Sequence, residues 1–219
     1  MTEIIILAKY PEPGKVKTRL GAVIGLELAA DFYRIFLDCT FGIVRQSAIG
    51  KATVFYEPES RGADFRAMVP TDFRLFPQQG ADLGERLSNA FERAFSNGSK
   101  KVIAVGSDSP TLPPQLLAAA DLALETHDLV LGPAEDGGYC LIGLNNLYRK
   151  LFEDIEWSSD SVLDATVEEA RALSLRYHFL DKWYDVDDKE TLLRAAADDR
   201  SGAIQALVSK HPKKFVQKA

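Results

Sequence analysis

"KKVIAVGSDSPTLPP", Lys100 to Pro114, is the stretch that decides the fold. Val102 to Val105 form an unbroken apolar run, the mark of a central strand buried on both faces, as strands of parallel sheets are. Pro113 and Pro114 begin the next helix, where a missing N–H costs nothing because first-turn donors lack intrahelical partners anyway. Between strand and helix lies a short polar loop, "GSDSPTL", with Asp108 among small residues. A buried strand, a loop and a proline-started helix make one repeat of an α/β fold.

The same alternation runs outward in both directions. Towards the start, Ile4 to Leu7 reads as a strand, and Leu28, Phe32, Ile35, Phe36, Cys39 and Ile43 recur at three- and four-residue steps on one helix face. "KATVFYEP" from Lys51 and "DFRLFPQ" from Asp72 are two further strands. Leu83, Leu87, Ala90, Phe91, Ala94 and Phe95 then line a helix whose start carries Asp82 and Glu85 at capping-box spacing. Towards the end, "DLVLGPAEDGGYCLIGL" from Asp128 reads as two apolar runs joined by a glycine-rich turn, predicting an antiparallel pair. A helix around Ser161 to Ala172, a short strand "LRYHFL" from Leu175, and helices starting near Asp188 and Ser201 complete the chain. The pattern predicts an α/β protein, a three-layer α/β/α sandwich on a mostly parallel, mixed sheet. With no internal repeat and no Gly/Ser-rich linker, residues 1–219 are expected to form one domain. Ligands of such sheets bind at the carboxyl ends of the strands, which directs attention to the loops after strands one, three, four and five.

Composition sets the class. The chain has 219 residues, 46% of them hydrophobic, and a formal net charge of -6. That balance argues against a surface devoted to nucleic acid or anionic membrane, since phosphate backbones reward dense positive charge. Cys39 and Cys140 are far apart and outside any CxxC, so neither a disulfide framework nor a structural zinc site is indicated. The start lacks a charged segment followed by a long apolar one, and no stretch approaches the roughly 18 apolar residues of a membrane span. The expectation is a cytoplasmic protein with no nucleic-acid or membrane partner. His127, His178 and His211 lack ligand spacing and read as structural or exposed, and Trp157, Trp183 and Tyr184 read as packing residues.

Four loops could carry chemistry. "AKYPEPGKVKTRL", Ala8 to Leu20, leaves the first strand and gathers Lys9, Lys15, Lys17 and Arg19 around Gly14. Pro11 and Pro13 keep it out of helix, and Gly14 permits a turn that exposes successive N–H groups, a ready anion site. It is neither GxxxxGK[ST] nor GxGxxG, which excludes a P-loop and a dinucleotide fingerprint. A solvated basic turn accounts for it equally well. Asp108 in "GSDSPTL" suits a divalent cation or a turn cap. In "WYDVDDKETL", Asp185, Asp187 and Asp188 precede a helix, and Asp187 with Glu190 has capping-box spacing. If these carboxylates meet Asp108, each like-charge pair at about 4 Å costs roughly 4 kcal/mol at an effective dielectric near 20, so a cation is required. In "GPAEDGGYCL", Glu135 or Asp136 could orient an acceptor while Gly137 and Gly138 admit a ligand close to the backbone; a glycine hairpin turn explains the same residues.

Taken together, "AKYPEPGKVKTRL", "QGADLGERL", "GSDSPTL", "GPAEDGGYCLIGL" and "WYDVDD", in that order over roughly Glu3 to Leu193, resemble the glycosyltransferase-A, or nucleotide-diphospho-sugar transferase, superfamily. More narrowly, they are similar to its bacterial glycosyltransferase-like family related to phospholactate guanylyltransferase. The resemblance implies a GT-A type fold with a nucleotide between the first loop and the third-strand loop. It assigns Lys9, Gly14, Lys15, Lys17 and Arg19 to phosphates, Gln79 and Gly80 to the base, Asp108 and Asp187 to Mg2+ or Mn2+, and Asp136, Gly137 and Gly138 to the acceptor. The chain lacks the LAAGxSxRxG loop of many sugar nucleotidyltransferases, and "SDS" stands where many glycosyltransferases have DxD. The leading expectation is metal-dependent transfer of a nucleotidyl group from a nucleoside triphosphate to a phosphorylated small-molecule acceptor, with release of pyrophosphate. Lys17, Asp108 and Asp136 are the catalytic candidates. Glycosyl transfer from a nucleotide-sugar, with Asp136 as general base, and nucleotide binding without catalysis are the alternatives.

Overall fold

The computed structural model describes residues 1–215. Its strands and helices alternate in chain order. The first half holds β1 (Thr2–Lys9), α1 (Thr18–Ile24), α2 (Leu26–Ser47), β2 (Lys51–Glu57), α3 (Gly62–Met68), β3 (Arg74–Pro77), α4 (Leu83–Ser96) and β4 (Lys101–Val105). The second half holds α5 (Pro114–Ala123), β5 (Leu129–Pro133), β6 (Tyr139–Leu144), α6 (Val162–Ala172), β7 (Tyr177–Phe179), α7 (Lys189–Asp198), α8 (Ala203–Lys210) and α9 (Pro212–Phe215). Residues 216–219, the last of the tail, lie outside the described part.

The seven strands form one sheet in the order β3-β2-β1-β4-β6-β5-β7. β1 pairs in parallel with β2 and β4, β2 with β3, and β5 with β7, whereas β6 is antiparallel to both β4 and β5. The sheet is therefore mostly parallel and mixed, as the sequence predicts. Alternation along each strand divides its apolar side chains between two layers. Ile4, Ile6, Val54, Ile103 and Val105 pack with Phe32, Phe36, Leu117, Leu192 and Ile204 on one side. Ile5, Phe55, Val102, Ala104 and Ile142 pack with Phe91, Ala94, Val167 and Ala170 on the other. Fully burying each large aliphatic side chain contributes about 1.5–3 kcal/mol, so strands sealed on both faces hold their ends in fixed positions.

Local details depart from the sequence reading in four places. The helix predicted over Leu28 to Ile43 is α2, and a further short helix, α1, precedes it across Gly25, whose φ of 103° lies where L side chains are strained. Helix α3 was not anticipated; Phe65 is its buried anchor. At α4, Asp82 accepts from the Glu85 N–H at 2.9 Å as expected, but the Glu85 carboxylate reaches back to the Ala81 N–H. At α7 the cap is Asp188 rather than Asp187: it accepts from the Thr191 N–H at 2.8 Å, and Thr191 completes the capping box. That leaves the Asp187 side chain available for the site. Among the described residues, no helix is long and apolar enough to cross a membrane.

Candidate active site

The exits of the parallel strands are tied together from within. Gln78 donates from Nε2 to the carbonyls of Ala8 and Phe55 at 3.1 and 3.0 Å, fixing the β1, β2 and β3 exits to one another. Tyr33 of α2 does the same for β1 and β4: its hydroxyl accepts from the Lys9 N–H at 3.1 Å and shares a hydrogen bond with Ser107 Oγ at 2.8 Å. Burial, with the charge of Asp108 beside it, pushes the Tyr33 phenol up to about 12, so it stays a neutral hydroxyl. Neither residue stood out in the sequence, where Tyr33 merely follows Phe32 of the apolar helix face.

Beyond Lys9, Gly14 takes φ 78° and Lys17 takes φ 45°, ψ 46° at the start of α1. This left-handed backbone aims the Lys17 side chain inward, apart from its neighbours. Lys15 and Arg19 are exposed, and among the described residues neither has an ion-pair partner. The Lys17 ammonium instead lies 2.5 Å from Asp108 Oδ1 and 2.9 Å from Asp187 Oδ1, with its side chain 4% exposed against 47% and 45% for the two carboxylates. Burial alone would lower its pKa, but Asp108 and Asp187 outweigh burial and hold it above the usual lysine range. The carboxylates of the loop after β4 and of the loop before α7 do converge, and the cation that their repulsion demands is Lys17.

Two bonds lock these loops in register. The Val186 N–H donates to the Asp108 carbonyl at 2.8 Å, and Ser109 Oγ donates to Asp185 Oδ1. Burial raises the Asp185 carboxyl to about 6; the Ser109 hydrogen bond and Lys17 pull it down, while Asp108 and Asp136 push it up. An unfolded aspartate titrates near about 4. The folded state therefore holds the proton more tightly, and stability falls as pH rises from about 4 to about 6. Asp185→Asn should be more stable than wild type at pH 8 and nearly equal to it at pH 4, as chemical denaturation at the two pH values will show. An unchanged difference between the two would refute the assignment.

The remaining predicted residues sit in two flanking turns. Gln79 and Gly80 follow β3. There Asn89 donates to the Gln79 carbonyl at 2.9 Å, Arg86 Nε donates to the Gly80 carbonyl at 3.2 Å, and Gly80 takes φ 134°. Arg86 is paired with Glu57, which also lies 3.5 Å from Lys9. Glu57 and Arg86 escaped the sequence reading; the available signal was a carboxylate closing a buried strand and an arginine inside "QGADLGERL". On the other flank, residues 134–138 turn between β5 and β6. Asp136 is exposed and accepts from the Gly138 N–H at 3.0 Å, whereas Glu135 is held by Arg194 at 2.9 Å. Gly137, at φ 92°, is pressed against the Asp160 backbone. Among the described residues no hydrogen bond joins either turn to the Lys17 cluster.

Asp108 and Asp187 suit a hard divalent cation. Each gives one oxygen to Lys17, and among the described residues the second oxygen of each has no protein hydrogen-bond partner. Two half-exposed carboxylates are the donor set that magnesium takes from proteins, the rest of its shell being water and phosphate.

The fold is that of the nucleotide-diphospho-sugar transferases. The chain belongs to the bacterial family described as "Uncharacterized protein conserved in bacteria" (DUF2064), whose sequence pattern matches residues 40–159. A candidate nucleotide-diphospho-sugar transferase from Desulfovibrio desulfuricans G20 is 33% identical and superposes with a TM-score of 0.90 over 98% of this chain and 96% of that one. CMP:2-keto-3-deoxy-manno-octonic acid synthetase, solved with CTP, superposes at TM-score 0.57 with 10% identity over 90% of this chain and 97% of its own. A cytidylyltransferase from Leptospira borgpetersenii serovar Hardjo-bovis superposes at TM-score 0.57 with 14% identity over 100% and 98%. At these identities the last two share the fold alone. No curated protein matches the sequence.

Proposed function

We propose that the protein is a nucleotidyltransferase that moves a nucleotidyl group from a nucleoside triphosphate to a phosphorylated small molecule. The observation that carries this reading is the convergence of Lys17, Asp108 and Asp187 at the strand exits, on a loop that also carries the exposed Lys15 and Arg19, without ion-pair partners among the described residues. In the reaction an acceptor phosphate oxygen bonds to the α-phosphorus, the bond from that phosphorus to the bridging oxygen breaks, and pyrophosphate leaves with the electron pair. Lys9, Lys15, Arg19 and the backbone around Gly14 bind the phosphates, and Lys17 balances their charge. Gln79 and Gly80 face the base. Asp136, Gly137 and Gly138 face the acceptor. Asp108 and Asp187 would hold Mg2+ or Mn2+, which supplies neutralisation of the charge on the phosphate oxygens when bound. No protein nucleophile is needed, because positioning and electrostatics carry phosphoryl chemistry.

Glycosyl transfer from a nucleotide-sugar is the second reading. It is favoured by the 33% identity to the Desulfovibrio protein and by Asp136, an exposed carboxylate in the acceptor turn able to serve as general base. The two differ in product. A panel of nucleoside triphosphates and nucleotide-sugars is first screened by thermal shift with magnesium and manganese, since a ligand that binds only the folded state raises the melting temperature. The stabilising nucleotides are then incubated with phosphorylated acceptors. Pyrophosphate release supports nucleotidyl transfer, release of a nucleoside diphosphate supports the second reading, and a shift with neither product leaves nucleotide binding without catalysis.

A further inference from the structure

Lys17 occupies the place that a bound cation would contest. Its ammonium is enclosed, within ion-pair distance of both carboxylates at once, and lies 5.9 Å from the centre of the Phe36 ring. Its backbone sits in the left-handed region, which a lysine enters only when its surroundings impose it, and such positions cluster where function uses the strain. Two carboxylates with one ammonium carry a net charge of minus one. A divalent cation on the free second oxygens of these carboxylates would stand close to a buried ammonium of like charge, whereas a phosphate chain offers that ammonium a new partner. Lys15 and Arg19, exposed and without ion-pair partners among the described residues, are free to engage the phosphates first.

We propose that Lys17 is a resident counter-ion that holds Asp108 and Asp187 against a divalent cation until the phosphates of a nucleotide draw the ammonium away. This rests on the reading of Asp108 and Asp187 as the cation's ligands. It makes cation and nucleotide binding mutually favourable, and by linkage each raises the affinity for the other by the same factor. The cation is thereby admitted with the nucleotide rather than ahead of it.

Manganese alone, followed by electron paramagnetic resonance, tests the first half. Lys17→Met keeps the chain length and removes the charge, and should bind Mn2+ about tenfold tighter than wild type, within the usual range of coupling between sites. Lys17→Arg keeps the charge and should show no gain. Tripolyphosphate in the presence of a chelator tests the second half: Lys17→Met should bind it more weakly than wild type. Adding Asp108→Asn to Lys17→Met should abolish the gain in Mn2+ affinity. If Asp108-dependent Mn2+ binding is equal or weaker in Lys17→Met, the counter-ion role is overturned while the carboxylate site stands. If Mn2+ binding ignores Asp108→Asn in both backgrounds, the reading of the site itself fails and the inference with it.

The wild-type protein gives a test that needs no variant to fold. Reductive methylation read by peptide mass spectrometry should leave Lys17 protected in the free protein and label it several-fold more with saturating Mn2+. Unchanged protection would overturn the displacement.

Discussion

Asp108→Asn should lower turnover by about 10²–10³-fold, the loss seen when one preorganised electrostatic contact to developing charge is removed. The substitution is nearly isosteric and removes one negative charge from the cluster, leaving Asp187 as the remaining partner of Lys17. The loop should stay in place, because the Val186 N–H grips the backbone carbonyl of residue 108 and Tyr33 holds the adjacent Ser107. The enclosed Lys17 ammonium keeps Asp187 as its partner, so the substitution leaves no unpaired buried charge and its cost in stability stays modest. The expected pattern is thus a large loss of pyrophosphate release with a melting curve close to wild type. Parallel loss of activity and of folded protein would instead make Asp108 a structural residue and remove the main support for the site.

Gly137→Ala should destabilise the protein by roughly 3 kcal/mol, combining backbone strain with overpacking. At φ 92° an L side chain is strained in any surroundings, and the added Cβ would stand 2.1 Å from the Asp160 carbonyl oxygen. The turn cannot yield easily, since the Leu163 N–H donates to the Gly137 carbonyl at 3.0 Å and binds the turn to the start of α6. Gly98 provides the control: it has φ 87° but nothing within 4 Å of a Cβ, so Gly98→Ala should cost only about 1 kcal/mol, the backbone part alone. Equilibrium denaturation of the two variants separates strain from collision. Equal losses would mean that the close approach to Asp160 does not matter.

Much of this was legible in the sequence because strand and helix periods survive without context. Ile4 to Leu7, Val102 to Val105 and the paired runs around Gly137 announced the sheet, its buried centre and its reversed strand. Punctuation was legible too: Pro114 begins α5 as its missing N–H requires. What failed was information that lies in single backbone angles. Asp187-Glu190 and Asp188-Thr191 are spacing patterns one residue apart, and only the extended backbone at Asp188 selects the cap. Lys15, Lys17 and Arg19 look alike in sequence, yet the left-handed turn at Lys17 sends that one inward. Tyr33 was invisible for a different reason. Its ring packs into the core beside the face that the period reveals, and its hydroxyl finds partners at the end of β1 and in the loop after β4, which periodicity cannot place. Helix α3 carries one buried anchor in a run of charges, too little for a period to emerge.

The ion pair between Lys17 and Asp187 joins residues 170 positions apart. Three of the seven strands can be laid down with neither carboxylate at its station, since β1 pairs with β2 and β2 with β3. The cluster closes only after the chain has travelled through every strand and returned, and contacts of such long range are reached late because loop closure precedes their reward. A nascent chain or a truncated fragment ending before residue 187 would present the basic turn without the acid that completes it. On the proposed reading of the site, such a species would take up no Mn2+ even with a nucleotide present, which would make joint uptake of the two a reporter of finished folding.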